Sequence, residues 1–112
     1  MNKRKVETTG TINGLKCSIH AIEWEDSYIP LRKISGTAVI TEEEWNSNID
    51  ETRHLLDCVS YLKYKVNDKN EKAPVEVIGI QNSSGVFTCE FASDPRDIRS
   101  KGNAAIGEMW LD

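Results

Sequence analysis

Asn13-Gly14 commits this chain to a sheet. A two-residue type I′ turn needs φ > 0 at both positions, which asparagine and glycine adopt at little steric cost. The pair sits between two runs that alternate apolar and polar side chains, at about residues 5–12 and 15–24. Counting outward from the turn sets the register. Ile12, Gly10, Thr8 and Val6 face Leu15, Cys17, Ile19 and Ala21 on a largely apolar side. Thr11, Thr9 and Glu7 face Lys16, Ser18 and His20 on a polar side. A slip by one residue would mix the two faces, so the pattern itself opposes it.

The second constraint is the stretch 41–66. Thr41 and Glu44 form a capping box, with hydroxyl and carboxylate reaching reciprocal backbone amides. Trp45, Ile49, Thr52, Leu56, Val59, Leu62 and Val66 follow at steps of three and four, the spacing of one helical stripe. Glu42, Glu43 and Glu44 suit the positive end of a helix dipole, and Lys63 and Lys65 the negative end. The spacing predicts one long amphipathic helix, with 50–65 as its centre. Asn46, Ser47 and Asn48 are poor helix formers, so the helix starts at Glu42 or near Asn48, where Glu51 would close a second capping box.

Further strands are expected at 34–40, 75–81 and 86–91. A polar linker over 67–74 precedes Pro74, and a four-residue turn at 82–85 joins the last two of these strands. Pairing Gln81 with Val86 would set Ile80 against Phe87. Asp94-Pro95 opens a short helix over about 95–101, with Asp94 as N-cap and proline at the first helical position. Residues 104–111 read as a final strand. The order is β-β-β-α-β-β-α-β. The expected class is α+β: an antiparallel sheet of about five or six strands with one main amphipathic helix packed on one face. A chain of 112 residues fits a single domain, with residues 1–4 as a tail.

Composition narrows the functional classes. Charged residues make up 29% and hydrophobic residues 38%, which suits a folded domain. A net charge of −4 argues against general nucleic-acid binding. Cys17, Cys58 and Cys89 are odd in number and widely spaced, which fits a reduced, cytoplasmic protein better than a disulfide scaffold. No apolar run approaches the ~18 residues that span a bilayer.

The candidate chemistry is sparse. Cys17 with His20, and His54 with Cys58, supply zinc-type donors, but Cys17 and His20 would point to opposite faces of a strand. Glu51 and His54 have the spacing of one half of a carboxylate-bridged di-iron site, with no second half. There is no glycine-rich phosphate loop and no nucleophile elbow. The expectation is a protein without enzymatic activity, cofactor or metal.

Charge layout is the strongest functional signal. Between Glu23 and Asp57 nine acids face Arg32, Lys33 and Arg53, a balance of −6 that leaves +2 for the rest. Trp24 and Trp45 lie inside the acidic clusters, and aromatic anchors concentrate at binding hot spots. Glu23, Trp24, Glu25, Asp26, Glu42, Glu43, Glu44, Trp45 and Asp50 are therefore the expected partner-binding residues. The expected role is a small binding protein that covers a basic surface on a protein partner. An immunity protein, or a phage-encoded inhibitor of a nucleic-acid enzyme or toxin, acts in this way, with no direct contact to nucleic acid or membrane. The alternative is an assembly protein that forms a homodimer or larger homo-oligomer through its sheet. A small enzyme or zinc-binding domain ranks third.

Overall fold

The structure, a computed structural model, describes residues 3–25 and 32–94. β1 (Lys3–Ile12) and β2 (Leu15–Glu25) form the hairpin in the register read from the sequence, with Ile12 against Leu15 and Val6 against Ala21. Asn13 and Gly14 both have positive φ. β1 starts at Lys3, so Lys3 and Arg4 belong to the sheet and not to a tail.

β3 (Arg32–Thr41) continues the meander against β2, and α1 (Glu42–Ser47) and α2 (Ile49–Thr52) follow it. β4 (Ser60–Val66), β5 (Lys69–Ser83) and β6 (Val86–Ala92) form a second antiparallel meander. β3 pairs with β6 and β1 with β4, so the two meanders close into a barrel of order β1-β2-β3-β6-β5-β4.

The interior of so small a barrel is filled by side chains. Every second residue points in: Val6 and Ile12; Leu15, Cys17, Ile19 and Ala21; Ile34, Ala38 and Ile40; Leu62 and Tyr64; Val75 and Val77; Cys89 and Phe91. Burying each large aliphatic or aromatic side chain contributes roughly 1.5–3 kcal/mol. Two glycines let strands approach closely. A Cβ on Gly10 would lie 2.2 Å from the Lys63 carbonyl oxygen, and one on Gly36 the same distance from that of His20.

The single amphipathic helix is not formed. α1 and α2 are short, turns carry the chain to Asp57, and 60–66 is a strand. The helical stripe competed with a second period inside SYLKYKV. Ser60, Leu62 and Tyr64 are buried while Tyr61, Lys63 and Lys65 are exposed, which is the alternation of a strand. Ile49, Leu56 and Val59, assigned to the buried stripe, are exposed instead. The capping signal itself was sound, since Thr41 Oγ1 accepts from Glu44 N–H at 3.2 Å. The second start at Asn48 also exists, without a side-chain cap.

Two further readings change. The linker at 67–74 is a tight turn at Asn67-Asp68, both with positive φ, followed by the first half of β5. Counting from that turn, Pro74 opposes Tyr61 at a position that exchanges no hydrogen bonds with β4, and β6 pairs only from Glu76 onward. A proline mid-strand therefore leaves no ladder bond unmade. The β5–β6 turn is Ser84-Gly85 alone, so Ile80 faces Cys89 and not Phe87. A bulge between Val77 and Gly79 keeps both flanking stretches in contact with the core. The helix expected at 95–101 and the strand expected at 104–111 lie outside the described residues.

Candidate functional site

β3, β5 and the β1–β2 turn all reach the same end of the barrel, and the segment from Glu42 to Val59 caps it. Four contacts fix the cap. Glu42 N–H donates to the Gly85 carbonyl at 3.0 Å. The Glu44 carboxylate accepts from Lys16 N–H at 2.9 Å, in place of the reciprocal capping-box bond. Trp45 stacks on Phe87 with ring centroids 4.1 Å apart and planes 3° from parallel. Leu55 is fully buried in the core cluster, and Thr52 beside it is 6% exposed.

The outer side of the cap has a different character. Ile49, Leu56, Val59 and Tyr61 are the exposed large hydrophobics among the described residues, at 44%, 58%, 51% and 48%. Glu42, Glu43, Glu44, Asp50, Glu51 and Asp57 lie in the same segment, against Arg53 as its only basic residue. Asp50 and Arg53 approach to 3.9 Å, with both side chains mostly in solvent. Such a pair contributes little. β5 runs past the start of β4, and residues 56–59 lie beside it there. Leu56, Asp57, Cys58 and Val59 line a cleft of about 380 Å³ with Glu76, Val77 and Ile78. Its lining mixes the aliphatic side chains of Leu56, Val59, Val77 and Ile78 with the two carboxylates of Asp57 and Glu76, and is more polar than apolar.

The structure splits the residues expected from the sequence. Glu42, Glu43, Glu44, Trp45 and Asp50 sit together on the cap. Glu23, Trp24 and Glu25 lie toward the other end of β2, about 30 Å away along the strands. Trp24 is half-buried between Lys3 and Lys33 in neighbouring strands, and Glu25 is exposed opposite Arg32. Asp26 lies outside the described residues. Glu23 points into the barrel at 5% exposure, where Arg4 pairs with it and the Tyr64 hydroxyl donates to it at 2.6 Å. It stabilises that end of the fold and offers no docking surface. Trp45 stacks on the barrel and is half-buried.

The sequence reading missed Ile49, Leu56, Val59, Tyr61 and the cleft. The alternation in 60–66 is the signal that would have found Leu56, Val59 and Tyr61, because it ends the helical stripe before them, whereas Ile49 lies on α2 and carried no such signal.

The metal-donor pairs are separated. Cys17 lies inside the barrel and His20 outside, opposite Glu7. No group of three or more potential ligands occurs among the described residues. Burial pushes the Cys17 thiol up to about 12, with the nearby Cys89 thiol adding to the effect. Burial alone pushes Cys89 up to about 11. Neither is poised as a nucleophile, which requires a thiolate. Cys58 is exposed in the cleft. No helix of the described residues is long and apolar enough to cross a membrane. No family model, no curated protein and no solved structure matches the chain.

Proposed function

We propose that the chain is a non-catalytic protein-binding module that covers a basic surface on its partner with the cap. The observation that carries this reading is coincidence. Among the described residues the exposed large hydrophobics fall between Ile49 and Tyr61, in and beside the segment that carries six acids and one arginine. Apolar side chains ringed by one sign of charge suit a hot spot with a steering rim. The exposed Leu56 and Val59 side chains meet an apolar side chain of the partner, and Asp57 and Glu76 in the cleft beside them take a lysine or arginine. Inhibition of a nucleic-acid enzyme or toxin is the role that fits such a partner best.

Capture from lysate tests the reading when wild type is compared with a Leu56→Ser, Asp57→Asn double variant and with chain alkylated at Cys58. A partner retained by wild type at low salt, released at high salt and lost by both altered forms is the expected result. Equal capture by all three forms contradicts the proposal.

A further inference from the structure

Closing the barrel gathers positive charge on the face opposite in character to the cap. Strand β1 together with residues 60–75 holds Lys3, Lys5, Lys63, Lys65, Lys69 and Lys72 against Glu7, Asp68 and Glu71, with Arg4 of the same strand paired to Glu23. The register aligns Lys16, Thr11, Lys63 and Lys72 in one row across β2, β1, β4 and β5. Lys63 and Lys72 are direct cross-strand neighbours on the exposed side. Like charges so placed destabilise a sheet. Among the described residues no carboxylate forms an ion pair with the side-chain ammonium of Lys16, Lys63, Lys65 or Lys72, and Glu44 meets Lys16 only at its backbone N–H.

The same row borders a cleft. Pairing of β1 with β4 ends at Gly10 and Tyr64, although both strands continue, and the seam opens beyond that point. The opening is a cleft of about 510 Å³, lined by Lys63, Lys65 and Lys72 together with Thr9, Thr11 and Asn70. Glu71 is the one acid in its wall. Tyr61 stands next along β4 on the exposed side, with Lys72 Nζ 4.7 Å from its ring centroid.

We propose that this cleft and the Tyr61 ring bind single-stranded nucleic acid, with lysines, hydroxyls and the Asn70 amide on the phosphates and Tyr61 under a base. A basic groove beside an exposed aromatic is how strand binding without sequence preference is built. Lysine ammoniums are point charges that suit phosphate, and threonine and asparagine donate to the same oxygens. An acidic protein segment would need an apolar anchor, and the large exposed side chain beside the cleft is Tyr61, whose ring a base stacks on. The site shares Tyr61 with the edge of the cap surface and does not rest on the function proposed for the cap.

Fluorescence anisotropy of the full chain with a labelled oligothymidine of about 15 nucleotides, a length near one barrel's reach, tests this. Binding is expected at about 50 mM salt, weakening steeply toward about 200 mM. Replacing two phosphate-contacting lysines, as K63Q with K72Q, should lower the salt slope by about 1.4 and affinity by about tenfold. The K63Q single variant, which removes the like-charge pair and leaves Lys72 over Tyr61, should have a thermal midpoint equal to or above that of wild type. Tyr61→Leu should weaken binding by about tenfold and leave the salt slope intact. Absence of binding at low salt, or a wild-type slope in the double variant, overturns the proposal. So does a poly-glutamate peptide of equal charge that binds as tightly as the oligonucleotide.

Discussion

Tyr64 shows how much one side chain can carry in this fold. Its hydroxyl donates to the buried Glu23 carboxylate from across the barrel, and Arg4 meets the same carboxylate. A hydrogen bond to a charged group is worth about 2 kcal/mol, and Tyr64→Phe should lower urea-unfolding stability by about that amount. An unchanged midpoint would show that the bond contributes nothing. Cys17 and Cys89 make a second prediction at this scale. Folding raises both thiol pKa values, to about 12 and about 11, from an ordinary value near 9.0. Below pH ~9 the thiols are protonated in both states and stability is unaffected. Above it the unfolded chain loses protons that the folded chain keeps, so stability falls between pH ~9 and the folded values. The Cys17→Ala, Cys89→Ala double variant should show a shallower alkaline fall than wild type in the same denaturant series; equal slopes contradict the assignment. In the native chain a thiol reagent should react first at Cys58.

At the scale of elements, the β1–β2 hairpin was legible to the residue because turn chemistry and alternation agreed. The stretch 41–66 was not, because two periods overlap within it. Steps of three and four through Trp45, Thr52, Leu56 and Val59 outweighed the shorter alternation of Ser60, Leu62 and Tyr64. Only long-range pairing with β1 and β5 decides between them, and pairing is not written in local spacing. The Asn67-Asp68 turn was also obscured, since it lacks the glycine that marks the tight turns at Asn13-Gly14 and Ser84-Gly85. The cap gives this scale its prediction. Leu55→Ala should cost about 3 kcal/mol, as a fully buried leucine does, whereas Leu56→Ala next to it should change stability by less than about 0.5 kcal/mol. Similar losses at both would mean that the segment is a helix packed differently. Gly10→Ala should destabilise by about 2 kcal/mol, because its Cβ must push β4 away from β1.

For the whole molecule, net charge was a poor guide to its surfaces. A balance of −4 counts acids and lysines that the barrel places on different faces. The acids of Glu42–Ser47 and Asp50 lie together on the cap, whereas Glu23, grouped with them from the sequence, is buried at the opposite end. The sequence could not show the lysine row, because that row is assembled from four strands. Both proposed surfaces exist only if 60–66 is the strand that closes the barrel between β1 and β5. Counting from the Asn13-Gly14 turn, Gly10 and Tyr64 are a pair that exchanges no hydrogen bonds, which brings their Cα atoms to about 4.5 Å. Nuclear Overhauser spectroscopy of the labelled chain should therefore show a strong contact between the α-protons of Gly10 and Tyr64. Absence of that contact, with helical i to i+3 connectivities running through 53–65 instead, would contradict the barrel and both surfaces built on it.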